Sequence, residues 1–265
     1  MSSPRSDASA LADARLAHAY FRSLAGGRER AGPFTIQFAE RSASPFANYA
    51  IPDDDADPSA DNIASLVAAF VARRRVPRLE YVPTAAPKVE AALSAAGFAI
   101  DLRPPFMTRR PSPMPAVAMP DGFDLSLVQD EAALRDVVRV GRVAFGSPPI
   151  VGAINVTGEM RALECGRRFA AIYERASGQM AGCGSYMPPQ AGVTEIVGIA
   201  VAKSFRRRGL GRAITDFLAR AAFDAGCEMT FLSAAGEAQA AIYARAGFVA
   251  RAPMLFISKP SQPED

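Results

Sequence analysis

Residues 193–213 read Val-Thr-Glu-Ile-Val-Gly-Ile-Ala-Val-Ala-Lys-Ser-Phe-Arg-Arg-Arg-Gly-Leu-Gly-Arg-Ala. An apolar strand, Ile196 to Val201, runs into a short turn ending in Arg206-x-x-Gly209-x-Gly211, and a helix begins there. The first turn of a helix has N–H groups without helical acceptors, at the positive end of the helix dipole. Two glycines keep side chains away from those groups, and arginines surround them. That combination suits a pyrophosphate. Two common phosphate loops are excluded. A Walker loop needs Gly-Lys-Ser/Thr, and Arg212-Ala213 follows the second glycine instead. A dinucleotide fold needs a third glycine in register, and none is present.

Downstream, apolar residues at Leu210, Ala213, Ile214, Phe217, Leu218 and Ala221 mark one buried helix face. Arg212, Asp216 and Arg220 fall four apart and are expected on the opposite, solvent face. Gly226 ends this helix, and Met229 to Leu232 reads as a short buried strand. A second helix is expected over about 237–246, capped by Gly247, with a last strand from Phe248 to about Ile257.

The turn Arg206-x-x-Gly209-x-Gly211 after a strand, followed by Ala241-Ile-Tyr243-Ala-Arg-Ala-Gly247-Phe248, resembles the paired motifs of the GNAT superfamily of acyltransferases. The resemblance covers about residues 121–257. It implies an α/β fold (α+β, a mixed and mostly antiparallel sheet flanked by helices), with acetyl-CoA as cosubstrate and no metal. It places the cofactor against the strand backbone at Ile199, Ala200 and Val201, and in the cradle Arg206, Arg207, Arg208, Gly209, Leu210, Gly211 and Arg212. It offers Glu195, in Glu-Ile-Val-x-x-Ala-hydrophobic, as the base for the amine proton, and Tyr243 as the proton donor to the CoA sulfur. The bland alternatives are a solvated carboxylate at a strand start and a core aromatic. The family often carries asparagine seven residues before the tyrosine; Gly236 stands there, which puts one cofactor hydrogen bond in doubt. Gly198 reads as a bulge or a packing glycine.

Composition bounds the rest. Lysine occurs only at 88, 203 and 259, so arginine makes up 27 of the 30 basic residues, with a net charge of +3. The arginines are scattered and no aromatics interleave with the runs 73–75 and 206–208, which argues against nucleic acid. Cys165, Cys183 and Cys227 have no metal-ligand spacing, and the single histidine, His18, reads as a surface or packing residue. No signal peptide or apolar run of membrane length is found, so the expectation is a cytoplasmic protein that binds neither membrane nor nucleic acid.

The first half of the chain is a degenerate copy of the second at an offset of 150. Ala96-Gly97-Phe98 falls on Ala246-Gly247-Phe248, Phe106 on Phe256, and Tyr49-Ala50-Ile51 on Ile199-Ala200-Val201. Two GNAT-like lobes are expected: 1–110, a Pro-rich linker 111–121, the acyltransferase lobe 122–258, and a tail 259–265. The first lobe lacks the cradle, having Ala-Asp-Pro-Ser-Ala-Asp at 56–61, and Asp53, Asp54, Asp55 and Asp57 would repel a pyrophosphate. It also reads as short of a first strand and helix, with a role in support and as one wall of the substrate cleft. The expected acceptor is a small-molecule amine, with a protein amine as the alternative. It would be bound by the loop 146–152 and the hairpin near Tyr186. An acyl-CoA sensor or scaffold without turnover is the competing reading.

Overall fold

The computed structural model describes residues 4–24, 28–39 and 42–260. The chain forms two compact units, Met1–Phe106 with Ala250–Asp265, and Met107–Val249.

The first unit runs α1 (Pro4–Ser23), β1 (Arg28–Ala31), β2 (Phe34–Gln37), β3 (Tyr49–Pro52), α2 (Ala60–Ala72), β4 (Arg78–Tyr81), α3 (Val89–Ala95) and β5 (Ala99–Leu102). Helix α2 starts where Ser59 accepts from the Asn62 N–H while the Asn62 side chain accepts from the Ser59 N–H, a reciprocal cap. Ile63, Leu66 and Phe70 form its buried stripe. A helix does precede the first strand, contrary to the expectation of a missing one, whereas no extra strand is found among the described residues.

Strand β6 (Pro105–Arg109) carries the chain into the second unit, which continues with β7 (Phe123–Leu127), α4 (Glu131–Ala144), α5 (Ala153–Glu164), β8 (Arg168–Glu174), β9 (Met180–Tyr186), β10 (Val193–Val201), α6 (Leu210–Asp224), β11 (Met229–Ser233) and α7 (Glu237–Arg245). The final segment is two strands rather than one, β12 (Val249–Pro253) and β13 (Leu255–Ser258), which break at Met254 and join different sheets. The six-stranded sheet has the order β1-β2-β3-β4-β13-β5, and the seven-stranded sheet β12-β6-β11-β10-β9-β8-β7. Both are mixed: β3–β4 and β10–β11 are parallel, and β1–β2, β2–β3, β7–β8, β8–β9 and β9–β10 are antiparallel.

These orders redraw the contiguous division at 110 and 122. β13, from the end of the chain, lies between β4 and β5, with Leu255 and Ile257 in the first unit's core. β6, from the first half, lies between β11 and β12. Positions 105 and 255 are related by the 150-residue repeat, so each repeat gives its last strand to the other's sheet.

The two faces of the second unit's sheet are covered by different helices. Ile196, Tyr186, Ile172 and Ala181 pack with Leu210, Ile214 and Leu218 of α6. Phe169, Ala171, Cys183 and Ala200 pack with Leu134 and Val137 of α4 and Val156 of α5. Asp130 caps α4, accepting from the Ala133 N–H at 2.8 Å. Asp216 is not on a solvent face as expected but is 2% exposed. The Pro-rich segment lies along α6, so Asp216 accepts from the Val117 N–H at 2.9 Å and from Arg109 at 2.8 Å, while Arg220 donates to the Met114 carbonyl at 2.6 Å. Helical spacing alone cannot register such a covering strap.

Candidate active site

Strand β10 pairs with β11 only at its start. Val193, Thr194 and Glu195 pair with Met229, Thr230 and Phe231 of β11, and no later β10 residue has a partner there. On its other side the ladder with β9 runs from Ile196, opposite Tyr186, to Val201, opposite Gly182. The strands therefore splay after Glu195, and the backbone of 196–201 presents polar groups on its β11 side that no ladder uses. Buried backbone polar groups need partners, so such an edge suits an extended ligand rich in amides.

Gly198 sits at a bulge, with φ +68 and a shift in register between Val197 and Ala200. A bulge inserts one residue and so reverses which face later side chains take. Ile196 joins the α6-side core before it, and Ile199 and Val201 pack there after it. Ala200 turns instead to the α4 side. The packing-glycine alternative fails, since nothing lies within 4 Å of where a Gly198 Cβ would be.

A short 3-10 turn, Lys203–Phe205, follows, anchored by the buried Phe205 ring. Arg207 has φ +62 and Gly209 φ +83. Two left-handed residues in three curl the backbone so that neighbouring N–H groups face one concavity. Left-handed geometry is disfavoured for arginine, by roughly 1–2 kcal/mol, and such strain collects at ligand sites. Gly209 is the N-cap of α6, no side chain caps the helix, and its first bond runs from the Ala213 N–H to the Gly209 carbonyl at 3.1 Å. The N–H groups of Leu210, Gly211 and Arg212 are thus left without helical acceptors. Leu210 itself is buried in the core.

The four arginines are all exposed but not equivalent. Arg206 Nε donates to the Val201 carbonyl at 3.1 Å, bracing the turn. Arg212 Nε donates to the Arg245 carbonyl at 2.9 Å, tying α6 to the end of α7. Arg208 lies 3.7 Å from Glu174 and stacks near Phe205. Arg207, on the strained residue, makes no side-chain hydrogen bond or ion pair among the described residues.

Gly211 lies where β10, α6 and α7 converge: a Cβ there would stand 3.8 Å from Ile242 and 3.9 Å from Val201. Tyr243, the next residue of α7, packs against the same core, and burial pushes its hydroxyl above the usual pKa of 10. Gly236 is the N-cap of α7 in extended backbone that any residue adopts, so nothing in the backbone demands glycine in place of asparagine.

The opposite face of the splayed strand holds a cavity of about 310 Å³ with Gly198 in its lining. Sequence reasoning missed its polar side chains. Arg167 reaches Glu159 at 2.9 Å and Ser185 Oγ at 2.9 and 3.0 Å, and lies 4.5 Å over Phe169. Asn155 and Glu159 are one turn apart on α5, which starts at Ala153, and so share one face of that helix. Tyr186, expected at the acceptor, faces the α6 core instead; Cys183, Gly184 and Ser185 are the hairpin residues that line the cavity. Glu195 is half-buried, and strand alternation puts it on the cavity's face of the sheet, about 7 Å along β10 from Val197, which pairs with Ser185. It does not itself line the cavity.

The first unit has no equivalent site. Met229 pairs with Val193, which is 17 residues before Leu210 at the start of α6. The matching Leu79 pairs with Ala50, only 10 residues before Ala60 at the start of α2. Matching Tyr49–Ile51 to 199–201 is therefore corrected by the register: the splayed extension and the cradle are what the first repeat lacks. Its backbone is also closed by internal bonds. The Asp55 N–H donates to the Ala85 carbonyl at 2.7 Å, and the Val82 N–H to Nε2 of the fully buried His18 at 2.9 Å. Nδ1 of His18 then donates to Asp54, so His18 is a packing residue. The acidic run is structural: Asp53 pairs with Arg30, Asp55 with Arg15, and Asp57 with Lys88.

Residues 154–248 match the model of the Acetyltransferase (GNAT) family. The second unit carries a GNAT domain. The chain as a whole has the tandem GNAT fold. A GCN5-related N-acetyltransferase from Kribbella flavida is similar over 95% of both chains, with a TM-score of 0.76 and 20% identity. A tandem GNAT protein from the clavulanic acid biosynthesis pathway is similar over 89% of this chain and 82% of its own, with a TM-score of 0.62 and 16% identity. A GCN5-related N-acetyltransferase from Sphaerobacter thermophilus is similar over 87% and 78%, with a TM-score of 0.61 and 17% identity. No curated protein matches the sequence. Among the described residues no helix is long and apolar enough to cross a membrane, and no group of histidine, cysteine and acidic residues could hold a metal ion.

Proposed function

We propose that the second unit transfers an acetyl group from acetyl-CoA to a primary amine. The observation that carries this is the splay of β10 from β11 after Glu195, running directly into an uncapped helix N-terminus. The N–H groups of Leu210, Gly211 and Arg212, with Arg207, bind the pyrophosphate. The free edge of β10 at Ile199, Ala200 and Val201 binds the pantetheine amides and aims the thioester at the Gly198 bulge. Acetyl-CoA supplies the activated acyl group.

The amine nitrogen, entering from the cavity face, forms the C–N bond as the C–S bond breaks. Glu195 accepts the amine proton, directly or through one water. Tyr243 donates a proton to the leaving sulfur; burial keeps that hydroxyl protonated at neutral pH, as a donor requires. The alternative is a binding-only acyl-CoA module, favoured by the position of Glu195 outside the cavity lining.

Calorimetric titration with acetyl-CoA, with desulfo-CoA and ATP as controls, combined with thiol release on an amine panel, tests the proposal. One site per chain with turnover supports it. Binding without turnover on any amine selects the module, and no binding removes both.

A further inference from the structure

Resting on the acyl-transfer reading above, we propose that the acceptor is a small amine carrying a carboxylate on an apolar body, in other words an apolar α-amino acid, and that Arg142 reads the carboxylate. The cavity over Gly198 is built on one stripe of α4: Val137, Val138, Gly141, Arg142 and Phe145. Gly141 opens it, since nothing lies within 4 Å of where its Cβ would be. At about 310 Å³ it is at the small end of ligand pockets, roughly 300–1,000 Å³, which fits an amino acid rather than an extended chain.

Its charges do not cancel. Arg167 and Glu159 neutralise each other at 2.9 Å, and Arg167 is further held by Ser185 and Phe169. Arg142 has no ion-pair partner among the described residues. Its Nε donates to the Pro148 carbonyl at 2.9 Å, which fixes the stem and leaves both Nη groups for a ligand. The lining therefore carries one uncompensated positive charge. A guanidinium fork matches a carboxylate, through two parallel hydrogen bonds. The reacting amine must be neutral to attack, so it needs no anion of its own in the cavity. A second positive charge on the acceptor would be repelled.

The rim specifies the remainder. Phe145, in the cavity's lining just past the end of α4, is 67% exposed. With Val137 and Val138, also in the lining, it offers an apolar surface for the acceptor's side chain. The first residue of a peptide, whose carboxyl is tied up as an amide, would leave Arg142 unanswered.

The test is calorimetry on the full chain saturated with CoA, which permits binding without turnover, using leucine and phenylalanine against leucinamide and phenylalaninamide. The expected result is that the acids bind at least 10-fold more tightly than the amides. Arg142→Gln should weaken the acids about 10- to 100-fold, the range for a hydrogen bond to a charged group, and leave the amides and acetyl-CoA unchanged. Arg142→Lys, which keeps the charge but loses the fork, should fall between. Amides binding as well as acids, an Arg142→Gln variant that weakens both alike, or no binding of either acid overturns the proposal. Thiol release from acetyl-CoA separates this from the parent reading. Acids that bind as expected but release no thiol sink the transferase and leave the site. Faster release with the amides sinks the acceptor and leaves the transferase.

Discussion

Gly211→Asp separates binding from folding because the same carboxylate acts on the two with opposite sign. Gly211 is the second residue of α6, in ordinary helical backbone. A Cβ there meets only Ile242 at 3.8 Å and Val201 at 3.9 Å, which is normal contact. An acid in the first turn of a helix stabilises it by about 0.3–1 kcal/mol, and replacing glycine in a helix adds a few tenths more. The thermal midpoint should therefore stay level or rise slightly. A pyrophosphate cradled by the N–H groups of 210–212 would lie about 5 Å from the new carboxylate. At an effective dielectric constant of about 20, one pair of like charges at that distance costs about 3 kcal/mol, so acetyl-CoA affinity should fall at least ~100-fold even if only one phosphate charge counts. Gly211→Ala adds the Cβ without the charge and should bind within about tenfold of wild type by the same Coulomb argument. The assay is calorimetry with acetyl-CoA and desulfo-CoA beside thermal unfolding by circular dichroism. An Asp variant that folds and binds within threefold of wild type refutes the cradle.

Tyr243→Phe should lower kcat about 10²- to 10⁴-fold, the usual yield of general acid catalysis, while the dissociation constant for acetyl-CoA stays put; parallel loss of both would make Tyr243 a packing residue. Asp216→Ala strands the buried Arg109 and should destabilise the protein by about 3–5 kcal/mol, read as a lowered denaturation midpoint. Burial raises the Asp216 pKa, but the Val117 N–H, Arg220 and Arg109 outweigh it and hold the group below its ordinary value. Its stabilisation is thus complete above the unfolded pKa of about 3.9 and fades as pH falls through the lower folded value, so the variant should lose that part of the acid unfolding limb. Alkylation of the native protein should be fast at the exposed Cys165 and slow at Cys183, whose thiol burial pushes up to about 12; mass spectrometry showing equal labelling would contradict the packing of β9. Fragments 1–110 and 111–265 should each be unfolded alone, since burying Leu255, Phe256 and Ile257 supplies about 5–9 kcal/mol, comparable to a whole domain's stability. They should regain structure when mixed, and either one giving a cooperative monomeric transition would exclude the exchange of β6 and β13.

The cradle was legible because it is local. Arg206 to Gly211 and the strand before it are contiguous, and the period of α6 follows from one buried stripe. The reversal of facing at Gly198 was open in the sequence, because a bulge and a close packing contact both call for glycine, and only the register with β9 separates them. The cavity over Gly198 was not legible. Arg142, Glu159 and Ser185 come from three separate elements and Arg167 from the loop before β8, and each read singly is a surface charge or a strand hydroxyl. Asp216 failed for a related reason: the period gives the face of α6 away from the sheet, but only the path of 110–120 decides whether that face meets water.

The exchanged strands show why the repeat, although read correctly, concealed the connectivity. Phe106 and Phe256 are equivalent positions, and both are buried. β6 and β13 each follow a left-handed glycine, Gly97 at φ +84 and Gly247 at φ +86, and an edge strand, β5 or β12. Each must fill the same kind of slot, between the central strand after the long helix and that edge strand. Two segments with matching patterns fit either slot, so local sequence cannot choose between own and exchanged placement. Chain geometry breaks the degeneracy: only Arg103 and Pro104 at one step and Met254 at the other are left outside the strands, and the Met254 N–H donates to the Pro104 carbonyl at 2.8 Å. The first repeat thereby contributes a strand to the seven-stranded sheet. It lacks the seven residues by which β10 and the turn after it are longer, yet it supplies the strand that seats Arg109 against Asp216 of α6.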